Sequence, residues 1–122
     1  MTEKKTVLIV DDTPPNIHVI KSILEGEYKI KAATSGEKAL QIVGKAPPDL
    51  ILLDVMMPEM DGYEVCRRLK ADPSTAGIPV LFVTGHADDE EQAKGMALGA
   101  VAYVTKPVDP ETLLMHVGQC LG

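Results

Sequence analysis

The chain has 122 residues, enough for one domain with a single core and too few for two. Apolar residues make up 45% and charged residues 25%, but one Phe, three Tyr and no Trp leave an aliphatic core and no base-stacking surface. A formal charge of −6 argues against direct nucleic-acid binding, no apolar stretch reaches membrane-spanning length, and the apolar run in MTEKKTVLIVDD is too short for a signal peptide.

Thr6 to Val10 (TVLIV) is a β-branched run that predicts a first strand, and it closes on Asp11-Asp12. Ile17, Ile20, Ile23 and Leu24 recur at helical spacing and predict a helix over 14–24, with Pro14 in its first turn and Gly26 at its end. Residues 28–33 read as a weaker second strand. Ser35 is an N-cap for a second helix through Lys38 to Val43, closed by Gly44 and Pro47.

The third strand is expected over 49–53 and the third helix over 61–70. IPVLFV (78–83) makes the fourth strand. The fourth helix, 88–98, opens on Asp88-Asp89-Glu90-Glu91, where carboxylates suit the helix dipole. Residues 100–104 form the fifth strand, and Asp109-Pro110-Glu111 opens a last helix through about Cys120. Cys66 and Cys120 fit no metal-ligand spacing and read as free thiols of a reducing cytoplasm.

Five strands, each followed by a helix, predict an α/β fold. The expected form is a flavodoxin-like, doubly wound (βα)5 three-layer sandwich with a parallel five-stranded sheet ordered 2-1-3-4-5. One domain spans 1–122. Ligands of such sheets bind beyond the carboxyl ends of the strands. There the sequence places Asp11-Asp12 after the first strand, Asp54 after the third, Thr84 after the fourth and Thr105-Lys106-Pro107 after the fifth.

Three carboxylates in one crevice repel by about 1–4 kcal/mol per close pair and call for a cation. An all-oxygen donor set suits Mg²⁺, with Mn²⁺ as an alternative, better than zinc. A divalent ion there could hold an incoming phosphoryl group, with Lys106 adding positive charge and Thr84 a hydrogen-bond donor. Asp54, central among them, is placed to accept the group as an acyl phosphate.

These residues resemble the receiver domain of two-component response regulators, chemotaxis-regulator-like in form, from about Thr6 to Val117. The resemblance rests on VDD, LLDVMMPEMDG, PVLFVTG and AYVTKP. It implies that Asp54 takes its phosphoryl group from the phosphohistidine of a sensor histidine kinase or histidine phosphotransfer protein. Asp11 and Asp12 match the acidic pair, and Met56 the position whose backbone carbonyl completes the metal shell. Thr84 matches the switch hydroxyl, Lys106 the phosphate-contacting lysine in a cis Lys-Pro peptide, and Tyr103 the aromatic that turns inward on activation.

Met56 and His86 match the two positions that tune phosphoryl lifetime; the plainer readings are space-filling for Met56 and an exposed loop residue for His86. His18 and His116 lie on helices as surface or packing residues. Val101-Ala102 stand where many relatives carry acids, so the fourth helix and fifth strand form an apolar face for a homodimer, a partner helix or an output domain. The DTPPN segment is closer to receivers of hybrid kinases and cyclic-nucleotide-type regulators than to those of DNA-binding regulators. The chain is expected to be a stand-alone receiver or a fragment of a longer regulator, acting on no substrate but its own phosphoryl group.

Three other readings compete. An aspartate-nucleophile phosphohydrolase wants a second acid two residues after the nucleophile, where this chain has Met56. A flavin binder wants a Ser/Thr/Gly-rich loop and aromatics, and DDTPPN offers neither. A receiver-like scaffold that is never phosphorylated usually lacks one of the acids or the lysine.

Overall fold

Strands and helices alternate strictly in the computed structural model, which describes residues 4–85 and 88–121. The order is β1 (Thr6–Val10), α1 (Pro14–Leu24), β2 (Lys29–Ala33), α2 (Gly36–Lys45), β3 (Leu50–Asp54), α3 (Gly62–Ala71), β4 (Val80–Thr84), α4 (Asp89–Ala97), β5 (Ala102–Thr105) and α5 (Pro110–Leu121). All strands are parallel in the order β2-β1-β3-β4-β5, as expected.

Helix starts follow from short polar side chains. Ser35 accepts a hydrogen bond from the Lys38 amide, Asp61 from Glu64, Asp88 from Glu91 and Asp109 from Thr112. Each such cap stabilises its helix by about 1 kcal/mol. In α1 the first turn is instead Pro14-Pro15, whose missing amides lie where no intrahelical partner exists.

Most boundaries shift by one or two residues from the sequence reading, β5 starting at Ala102 rather than at 100, and three of the shifts have a clear physical reason. Helix α2 runs through Gly44 to Lys45, since an exposed glycine only weakens a helix and Pro47 is the true stop. Strand β4 begins at Val80, although the Pro79 carbonyl already accepts from the Ile51 amide. Asp54 is the last residue of β3 rather than the first beyond it, and pairs in register with Val83.

Strand side chains alternate between two cores, as a two-sided sheet requires. Leu8, Val10, Ile51, Leu53, Val80 and Phe82 face α2 and α3. Val7, Ile9, Leu50, Leu52, Leu81 and Val83 face α1 and α5. Register then aligns the strand ends: Val10 pairs with Leu53 and Thr84 with Thr105. The residues at those ends therefore meet along one edge.

Phe82 has no exposed surface and lies between the Tyr63 and Tyr103 rings, at centroid distances of 5.4 and 5.2 Å. Phe82→Ala should lower unfolding free energy by about 3–5 kcal/mol in urea titrations. Val19→Ala, at a half-exposed site on α1, should change it by less than about 0.5 kcal/mol.

Candidate functional site

Asp11 follows β1 directly and is almost wholly buried. Its amide donates to the Ala33 carbonyl at 3.1 Å, and its carboxylate accepts from the Thr13 amide at 2.9 Å. Burial between two strands and this turn fixes the carboxylate's direction. Asp12, next along, is exposed, and Asp54 is 5% exposed at the end of the central strand.

Lys106 reaches back across the sheet edge to both buried acids. Its Nζ lies 2.9 Å from Asp11 Oδ2 and 3.3 Å from Asp54 Oδ1. The Lys106 amide donates to the Thr84 carbonyl at 2.8 Å, so the β4–β5 ladder itself carries the lysine to the edge. The peptide that follows, Lys106–Pro107, is cis. Carboxylate oxygens of Asp11, Asp12 and Asp54 all lie within 4.8 Å of one another.

Burial raises the Asp54 carboxyl above its ordinary range, and the neighbouring Asp11 charge adds to this. The Lys106 ammonium and the Met56 amide oppose the rise without cancelling it. Burial also acts to lower Lys106, but its hydrogen bond to Asp11 and the charges of both acids outweigh that and leave it raised. One ammonium faces three carboxylates, two of them buried. The donors are all oxygen, so the cluster fits a hard divalent cation.

The structure brings Asp11, Asp12, Asp54 and Lys106 together, and places Thr84, fully buried, at the neighbouring strand end. Met56 is 64% exposed, which overturns the space-filling reading of its side chain; the buried methionine is Met57. His86 lies outside the described residues. His18 is exposed on α1, and His116 is partly buried on α5. Met96 and Val101 are both about half-exposed, so the apolar character read from Val101-Ala102 is present on the surface beside α4 and β5.

Two glycines shape the surroundings by close approach. A Cβ on Gly62 would run into the backbone carbonyl of Asp54, and the Gly62 amide donates to Val55 at 2.9 Å. Glycine there lets the start of α3 rest on the end of β3. A Cβ on Gly95 would overlap the Tyr103 ring, which is turned in against α4. Tyr103 Oη lies 2.7 Å from the Glu91 carbonyl and 3.2 Å from Tyr63 Oη. Sequence reasoning missed Tyr63, because its helical spacing marks it only as one more apolar position of α3.

Two measurements follow from this geometry. Lys106→Met leaves two buried acids without their ammonium and should cost about 3–5 kcal/mol of stability in EDTA, part of it recovered by millimolar Mg²⁺. Asp54, raised above its ordinary 3.8, holds its proton to higher pH when folded than when unfolded. The neutral carboxyl's contribution is thus complete below 3.8 and lost as pH rises through the raised value. Without metal, the stability of Asp54→Asn relative to the unsubstituted chain should climb across that window and level off above it. A difference flat with pH would mean that Asp54 titrates like a surface acid.

Residues 7–118 match the family model of the response regulator receiver domain. The chain is 52% identical over 112 residues to a probable cyclic di-GMP phosphodiesterase of Vibrio cholerae, covering 92% of this chain and 25% of that protein. It therefore spans about a quarter of the length of that relative. Protein PilH of Pseudomonas aeruginosa is 36% identical over 118 residues, with 95% of this chain and 97% of PilH covered. A crystal structure of a putative response regulator from Chloroflexus aurantiacus superposes with a TM-score of 0.93 at 36% identity, covering 98% of each chain. With the 2-1-3-4-5 sheet and an acidic cluster at its carboxyl edge, these matches establish that the chain belongs to the response regulator receiver domain family, the phosphorylation-dependent signalling domain of two-component systems.

Proposed function

We propose that Asp54 is the phosphoacceptor of a single receiver domain spanning residues 1–122. The observation that carries this is its carboxylate, at the buried end of the central strand, in contact with Lys106 and within 4.8 Å of Asp11 and Asp12. A carboxylate oxygen attacks the phosphorus of a donor phosphohistidine, the P–N bond breaks with its electrons on the imidazole, and an acyl phosphate remains. Asp11, Asp12, Asp54 and the Met56 carbonyl would hold Mg²⁺, or Mn²⁺ in its place. The ion would supply charge neutralisation for acids and phosphoryl oxygens alike.

This chain's own residues do the rest. Lys106, already held by Asp11, turns its ammonium to a phosphoryl oxygen. Thr84 donates its hydroxyl from the neighbouring strand end, and Tyr103 shares the resulting rearrangement. Because Met56 stands where a second acid would serve hydrolysis of outside substrates, the reaction is confined to the domain's own phosphoryl group. The exposed side chain of Met56 sets how readily water reaches it, and by the resemblance position 86 is the second such tuning position.

A sensor histidine kinase or histidine phosphotransfer protein is the donor. The half-exposed Met96 and Val101 mark the α4–β5 face for an output domain or a second copy. The phosphodiesterase named for the Vibrio relative belongs to the remainder of that protein, beyond the 25% matched here. No helix among the described residues is long and apolar enough to cross a membrane. Free thiols at Cys66 and Cys120 favour a cytoplasmic setting.

Incubation with acetyl phosphate and Mg²⁺ should yield one hydroxylamine-labile phosphoryl adduct per chain by mass spectrometry. It should be absent in EDTA and absent from Asp54→Asn. An adduct on Asp54→Asn would sink the assignment, and continuing phosphate release from unrelated esters would favour the hydrolase.

A further inference from the structure

Helix α4 is held to the rest of the domain in an unusual way. Its sequence, DEEQAKGMA, buries one residue only, Gly95, whereas α1, α2, α3 and α5 each bury a row of side chains. A cleft of about 570 Å³ separates α3 from α4, bordered by Met57, Tyr63, Arg67, Lys94 and Leu98. Leu98, just past the end of α4, packs on the core, and what else crosses this cleft is polar. Tyr63 Oη donates to the Glu91 carboxylate, and Lys94 Nζ sits 4.6 Å from the centroid of the Tyr63 ring. From the sheet side, Tyr103 Oη lies 2.7 Å from the Glu91 carbonyl and 3.2 Å from Tyr63 Oη.

One residue of α3 therefore meets three features of its neighbours at once: a carboxylate and an ammonium one turn apart on α4, and the phenol of Tyr103 on β5. A helix lacking an apolar stripe takes its position from such contacts, since tertiary packing of an apolar face is what normally fixes a helix. The groups are well suited to the task. A phenol–carboxylate hydrogen bond is charge-assisted, and a cation over an aromatic face adds to it. Gly95 completes the seat, because any side chain there would expel the Tyr103 ring.

We propose that Tyr63 is a positioning residue that ties α4 to the body of the domain. On this view it is a third member of the Thr84–Tyr103 switch, so that movement begun at Asp54 reaches α4 through the Tyr103–Tyr63–Glu91 contacts. The second half of this statement rests on the receiver assignment above; the first half stands on the contacts alone.

Amide hydrogen exchange of the full chain reads the tie directly, as local opening of α4. Tyr63→Phe keeps the ring and its contact with Lys94 but removes the hydroxyl. Exchange across residues 92–98 should rise about tenfold, the loss expected for one hydrogen bond to a charged group, while α1 and α5 stay unchanged. Glu91→Ala should raise the same amides, and the double variant should exceed neither single variant by much, as coupled partners do.

With beryllofluoride and Mg²⁺, the exchange of α4 should change in the unsubstituted chain and change less in Tyr63→Phe. Unchanged α4 exchange in Tyr63→Phe would overturn the tie, as would an equal rise in α1 and α5. An undiminished response to beryllofluoride in that variant would overturn the coupling. Phosphoryl uptake from acetyl phosphate by the unsubstituted chain tests Asp54 separately, so a failure there is distinguishable from a failure of Tyr63.

Discussion

The arrangement turns on one ammonium group. Lys106 bridges two buried carboxylates that come from the ends of different strands, and among the described residues it is the cation paired with them. Asp11 and Asp54 would otherwise be two like charges withdrawn from water, an arrangement that costs several kcal/mol. The lysine can do this because β5 ends in register with β4, and Lys106 hangs from the Thr84 carbonyl by its own amide. Sheet geometry and site electrostatics are therefore one constraint.

That constraint is only partly met. Burial first, and the Asp11 charge second, keep the Asp54 carboxyl raised despite the ammonium beside it, so its charged form is disfavoured. A hard cation relieves this. If Asp54 is the phosphoacceptor as proposed, a phosphoryl group would bring still more negative charge there and would be tolerated only where positive charge has already been gathered. The glycine at 62 and the short loop from Val55 to Asp61 hold the start of α3 close to Asp54, which keeps that gathering compact.

Much of this was legible in the sequence, for identifiable reasons. Apolar runs ending abruptly on Asp11, Asp54 and Lys106 are local signals, and parallel pairing converts them into a common edge without further information. Boundaries were less legible where a residue type has two uses. Gly44 suggested a helix stop but sits inside α2, and Asp54, expected just after β3, closes that strand in register with Val83. Of the two readings open for Met56, space-filling fails, since its apolar side chain stands in solvent. Tyr63 was illegible, since its partners Glu91 and Tyr103 lie 28 and 40 residues away and only the folded chain brings the three together.

The two faces of the sheet differ in kind, and this gives the signal a direction. On one face α1 and α5 lie on an unbroken aliphatic layer from Val7 to Val117, where any shift would open a cavity. On the other, α2 and α3 are similarly anchored, but α4 rests on one buried glycine, Leu98 at its end and a few polar contacts. Apolar packing resists displacement at every point of contact, whereas a small polar set can exchange partners with little loss, because water or a neighbouring acceptor replaces each bond. A change at the ends of β4 and β5 thus has one compliant neighbour. The same residues that leave α4 loosely seated, Met96 among them, leave apolar surface on its outer side. The helix held by the fewest buried side chains thus also carries exposed apolar surface, at Met96, beside the exposed Val101.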